Sequence, residues 1–256
     1  MLRLRRLFGF CALWIGIFSQ PVLALNWEVA AVFLGGAEDE DYQKDIDQNI
    51  LELSQLTPNS QFRLSILREL PDRLVRYFPD PQSSELNVWD SLFFKSPLAG
   101  IQIPGAMVAQ TGDFSEVSAF TQATLMSEFF AQAFSSQNLQ AARVLLVYGH
   151  GLGYKGLKVM ELPKLRKYLT KLLPARAGQA PLDVLWLNSC FMANLEAAYE
   201  LRTLTNYYVA SEEAEYSSGS PFQSMFKLED GPESVETTVK DLASSYLESY
   251  SYTQKG

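Results

Sequence analysis

Two side chains able to do covalent chemistry stand at the ends of short apolar runs. Asp183–Met192 reads Asp-Val-Leu-Trp-Leu-Asn-Ser-Cys-Phe-Met and delivers Cys190, while Arg143–Tyr148 is a similar run ending in Gly149-His150-Gly151. His150 is the one histidine of the 256-residue chain. Of the two cysteines, Cys11 falls in a segment expected to be removed, which leaves one thiol and one imidazole. A thiolate nucleophile served by an imidazole acid/base needs only such a pair, held where a carbonyl can sit between them. Taken alone, a free cysteine reads as a buried core residue. Its pairing with His150 on a neighbouring strand turns the balance toward chemistry.

The surroundings suit those roles. Glycines flank His150, so a substrate backbone can approach and an N–H is left to meet a developing oxyanion. Residues 191 to 202, with Phe191, Met192, Leu195 and Tyr199, predict a helix starting directly after Cys190, whose N-terminal partial charge would favour the thiolate. Other chemistries lack their residues. A structural zinc site needs about four Cys or His ligands. Neither a Gly-x-Ser-x-Gly elbow nor a phosphate-binding Gly-x4-Gly-Lys-Ser/Thr loop occurs in the chain.

The elements that must position the pair follow a strand–helix alternation. Trp27–Leu34 reads as the first, central strand, bounded by Gly35-Gly36. The acidic stretch Glu38–Asp41 reads as a turn feeding a helix that carries Ile46, Ile50, Leu53 and Leu56 at helical spacing and stops at Thr57-Pro58-Asn59. Phe62–Leu67 is a second strand. Residues 71–112, rich in proline, predict an irregular insertion of loops or short elements. Ser118–Phe134 resumes helical periodicity through Phe120, Leu125, Phe129 and Phe130. Arg143–Tyr148, a helix over Glu161–Leu173 and the Cys190 strand then form a βαβ crossover, which brings both strand tips to one edge. Tyr207–Ala210 is a further strand, and Val235, Val239, Leu242, Tyr246 and Tyr250 mark a closing amphipathic helix. The class is α/β with a mostly parallel central sheet.

Composition bounds the setting. At 47% hydrophobic and 20% charged residues, residues 25–256 can bury one full core. Met1–Ala24 has a basic start (Arg3, Arg5, Arg6), an apolar stretch and Val-x-Ala before Leu25, the layout of a signal peptide cleaved after Ala24. A secreted or periplasmic location follows, without stable membrane insertion after cleavage, since no later segment reaches the roughly eighteen apolar residues a span needs. An uncleaved anchor is the alternative. The formal charge of −8 becomes more negative once the three leader arginines are lost, and nucleic acid is an improbable partner.

Leu145–Gly153, Leu185–Glu200 and Val209-Ala210-Ser211-Glu212-Glu213 together resemble the clostripain family of cysteine peptidases, of the caspase-like clan. The resemblance implies a caspase-like αβα sandwich acting on a peptide or protein substrate. It makes Cys190 the nucleophile, His150 the general acid/base, and the N–H groups of Gly151 and Cys190 the oxyanion donors. It also places Asn188, Ser189, Ser211, Glu212 and Glu213 around the substrate. Where the family has an aspartate two residues before the cysteine, this chain has Asn188, which can hydrogen-bond a guanidinium but supplies no charge. Glu212, Glu213 or Glu215 could replace that charge, or could form an exposed acidic turn. Calcium dependence and self-cleavage occur in the family, yet the sequence identifies neither an ion site nor a processing site. Two rival readings keep the fold and change the activity: a non-catalytic binding or scaffold protein, and an acyltransferase using the same pair.

Overall fold

The computed structural model describes residues 27–35, 40–54, 62–69, 74–77, 119–135, 141–215, 220, 222 and 234–253. Its centre is a six-stranded sheet of order β3-β2-β1-β4-β7-β8. β1 (Trp27–Phe33), β2 (Phe62–Glu69), β4 (Ala142–Tyr148), β7 (Leu182–Asn188) and β8 (Thr205–Ala210) run parallel. β3 (Leu74–Tyr77) pairs antiparallel with β2 at the edge. It is a short strand within the predicted 71–112 insertion, and the rest of that stretch lies outside the described residues, as do the leader, Glu38, Asp39 and Leu56.

Parallel strands covered on both faces read as unbroken apolar runs, and every residue of β1 is buried. Alternation along the strands sends side chains to two separate cores. Ala30, Val32, Leu145, Val147, Leu185 and Leu187 face α2 (Ala123–Ala133), α3 (Leu162–Leu172) and α4 (Leu195–Leu201). Val29, Ala31, Phe33, Leu146, Tyr148 and Trp186 face α1 (Glu40–Ser54) and α5 (Val235–Thr253). The result is the expected αβα sandwich. In α3, Leu162, Leu165, Leu169 and Leu172 form the buried stripe, and Pro163 sits in the first turn, where an intrahelical N–H donor is not required. The predicted helix over 118–134 divides in two: a 3-10 turn at Ala119–Thr121 is separated from α2 by Gln122, whose backbone is extended. Among the described residues, no helix is long and apolar enough to cross a membrane.

Chain order sets where a site can form. From β1 the chain steps outward to β2, then returns to the other side of β1 for β4, β7 and β8. The topological switch therefore lies between β1 and β4, and the crevice beyond the carboxyl ends of such strands is where ligands bind in parallel sheets.

Candidate active site

Register brings the two tips together. Tyr148 pairs with Asn188 at the ends of β4 and β7, and Gly149 N–H donates to the Asn188 carbonyl (3.3 Å). His150 and Cys190 each follow two residues after those paired positions. On the other side, Leu34 N–H donates to the Tyr148 carbonyl (2.8 Å), so the His150 loop is tied to both neighbouring strands.

A small hairpin supports that loop from outside. β5 (Gly156–Leu157) and β6 (Met160–Glu161) pair antiparallel, and Gly151 bridges to Leu157. The bonds are Lys158 N–H to the His150 carbonyl (2.9 Å) and Leu152 N–H to the Gly156 carbonyl (2.8 Å). They are made by the residues flanking Gly151 rather than by Gly151 itself. Gly151 packs directly on the cysteine: a Cβ there would lie 2.1 Å from the Cys190 carbonyl oxygen and 3.0 Å from its nitrogen. Only glycine fits this approach.

The Cys190 loop departs from expectation. α4 begins at Leu195, not at 191, and is capped by Asn194, whose side-chain oxygen accepts from Ala197 N–H (2.8 Å). Cys190 therefore does not sit on a helix N-terminus. Instead, Phe191 adopts a left-handed backbone (φ 60°), rare for a bulky residue, and the chain is held by side and strap contacts. Phe191 N–H donates to the Glu213 carbonyl (3.0 Å) and Ala193 N–H to the Ser211 carbonyl (2.8 Å). The Tyr208 hydroxyl donates to the Met192 carbonyl (2.8 Å). Glu215 N–H donates to the half-buried Cys190 Sγ. The late start of α4 was hidden by the apolar run Phe191-Met192, which continues the helical period without being helical.

The predicted substrate-binding residues divide by burial. Asn188 and Ser189 are buried. Asn188 Nδ2 donates to the Ser220 hydroxyl (2.8 Å), while Asn188 Oδ1 and Ser189 Oγ are sealed from solvent without a partner among the described residues. Ser211 is half-buried, and the side chains of Glu212 and Glu213 are exposed. Glu215 differs from both: its Oε2 is sealed without a partner among the described residues, and desolvation pushes its carboxyl up to about 8. At neutral pH it is mostly protonated. Burial, followed by the nearby Tyr42, Asp45 and Glu215, holds the Tyr148 hydroxyl protonated far above the ordinary tyrosine range. Among the described residues, no group of three or more His, Cys, Asp or Glu side chains could hold a metal ion.

Residues 121–256, more than half of the chain, match the model of the clostripain family. The chain belongs to the clostripain family. Two solved structures from Bacteroides thetaiotaomicron are similar in fold. One is a secreted C11 cysteine protease in complex with an irreversible peptide inhibitor (18% identity, TM-score 0.56, covering 89% of this chain and 59% of that one). The other is the secreted C11 cysteine protease "iotapain" (14% identity, TM-score 0.58, 87% and 61%). An inactive zymogen C11 protease from Parabacteroides distasonis is also similar (16% identity, TM-score 0.57, 89% and 59%). This chain thus spans about six-tenths of the length of the solved clostripain-family proteins it matches. No curated protein sequence matches it.

Two features of this site escaped the sequence. Ser220 lies far from Asn188 along the chain, and nothing in its surroundings marks it as a partner. Tyr42, which lies against the His150 ring, had a usable signal: in a parallel sheet the first turn of the helix after β1 sits at the same edge as the strand tips.

Proposed function

We propose that this chain is an exported cysteine endopeptidase of the clostripain type, working through a Cys190–His150 dyad. The observation that carries it is the joining of the two loops at one sheet edge, with Gly151 packed on the Cys190 backbone. The Cys190 thiolate attacks the scissile carbonyl carbon, and the oxyanion is received by the N–H groups of Gly151 and Cys190. His150 then protonates the leaving amine as the C–N bond breaks, giving a thioester. Water, deprotonated by His150, attacks that thioester and releases the new carboxyl end together with the thiol.

Support for a polypeptide substrate comes from the rim. Leu152, Tyr154 and Phe191 are large apolar side chains exposed beside these loops, a surface suited to an extended chain. In this reading Asn188 and Ser189 lie beneath the bound side chain of the substrate, and Ser211, Glu212 and Glu213 beside it. Asn188 Oδ1 and Glu215 Oε2, without partners among the described residues, are the acceptors this reading offers to a basic or amide side chain. Met1–Ala24 acts as the cleavable export signal.

The decisive experiment compares Cys190→Ala and His150→Ala with the wild type on a peptide library and on folded protein substrates. Both variants should melt cooperatively and show no turnover; activity in either one removes the dyad. The rival is a non-catalytic binding protein, favoured by the neutral Asn188 and by the Glu215 backbone lying on the thiol. It predicts that iodoacetamide labels native Cys190 no faster than a buried thiol, whereas the peptidase reading predicts rapid labelling.

A further inference from the structure

We infer that Tyr42 is the positioning residue for the His150 imidazole. This rests on the dyad reading above and adds a member from the opposite side of the topological switch. Tyr42 lies in the first turn of α1, which follows β1, while His150 follows β4. Their rings stack with centroids 4.9 Å apart and planes 19° from parallel.

The tyrosine is itself clamped on its other sides. Its ring meets Tyr148 in a tilted contact, centroids 5.8 Å apart. Against Gly35 it fills the space a side chain would need: a Cβ at that position would lie 2.8 Å from Tyr42 Cε1 and 2.8 Å from Ile46 Cδ1. Gly35 is fixed in turn, its N–H donating to Glu69 Oε2 (3.3 Å) and its carbonyl accepting from Gln43 Nε2. The stack is therefore built into the junction of β1 and α1, and is not a chance surface contact.

Stacking suits this task. It limits rotation of the imidazole about its bond to Cβ without occupying a ring nitrogen, so the proton-transfer atoms are not spent on orientation. The π face also favours the charged ring, the form needed to protonate a leaving amine. In this role Tyr42 acts through His150.

Kinetics are read in the active chain and the stack in a Cys190→Ala background, where His150, the chain's only histidine, gives a single set of imidazole NMR signals. Tyr42→Leu, which keeps apolar bulk and removes the ring, should lower kcat by about tenfold or more with KM little changed. Tyr42→Phe should rescue it. An unmoved rate in Tyr42→Leu would overturn the inference, as would a Phe variant that falls as far as the Leu variant. If Tyr42→Leu does not fold, the wild-type chain still decides: nuclear Overhauser contacts between a tyrosine ring and the His150 ring must be present and absent from a folded Tyr42→Gln variant. If His150→Ala retains activity, the dyad fails whatever the NMR shows. If His150→Ala is inactive and Tyr42→Leu is not impaired, the positioning role alone fails.

Discussion

The Glu215 backbone N–H donates to Cys190 Sγ at 3.3 Å. With the Phe191–Glu213 and Ala193–Ser211 bonds, it makes 211–215 a strap running back along the cysteine loop. The acidic turn after β8 is thus part of the wall around the thiol, and the state of Glu215 should be felt there.

Glu215 gives a pH signature. The folded chain holds its proton up to about 8, against an ordinary 4.5, so the folded state binds more protons between those values. Stability from this group is full below the ordinary value and is lost as pH rises through about 8. Glu215→Gln removes the titration. Its melting temperature should gain on the wild type from pH 5 to about pH 8 and level off above that; parallel profiles would show that Glu215 titrates as an exposed carboxylate.

Asn188→Asp tests the pocket floor. The new carboxylate would accept from the Ser220 hydroxyl, where the Asn188 amide now donates to it, and would face an incoming cation. Cleavage after Arg or Lys relative to neutral residues should rise by about tenfold in kcat/KM. An unchanged library profile would take position 188 out of the specificity pocket.

Gly151→Ala should separate folding from activity. The added methyl would meet the Cys190 carbonyl oxygen, so the two loops must part. A displacement of this size costs about a hundredfold in kcat/KM, while the melting temperature, set by the sheet and its helices, should move little. A near-normal rate would show that loop contact is not needed for turnover.

The opposite edge of the sheet should behave in the reverse way. Asp183 accepts from Arg143 N–H (2.9 Å), from Arg176 (2.6 Å) and from Asn206 Nδ2 (3.2 Å), joining β4, β7 and β8 at their N-terminal ends. Asp183→Ala removes the partly buried acceptor shared by Arg143 N–H, Arg176 and Asn206 and should destabilise by about 3 kcal/mol in denaturant unfolding. Under native conditions the alkylation rate of Cys190 should stay the same. A stability change well under 1 kcal/mol would make this ion pair a surface one.

The framework was legible because buried parallel strands announce themselves as apolar runs. Trp27–Phe33 and Ala142–Tyr148 come out within a residue of the sequence reading, whereas Leu182–Asn188 starts one residue before the Asp183–Met192 run and ends four residues before it does; the leucine stripe of α3 follows from its period. Glycine-flanked His150 and strand-terminal Cys190 were readable for the same reason. What escaped depends on contacts between distant segments. Phe191 and Met192 fit a helical pattern, yet the strap's carbonyls and the Tyr208 hydroxyl hold them in a turn. The shift of Glu215 depends on burial that no local pattern encodes, and the exposed Glu212 and Glu213 beside it have the same sequence character.

The switch between β1 and β4 also has a kinetic meaning. Tyr42, His150 and Cys190 arrive on three segments widely separated in sequence, and they meet only when β1, β4 and β7 have paired in register. Closing such non-local pairs is the slow part of assembling a parallel sheet. During refolding, helical signal should return first and turnover last, with no hydrolytic capacity in any partly folded form. If the chain is exported as proposed above, it would be harmless while emerging unfolded across a membrane, until its sheet is complete.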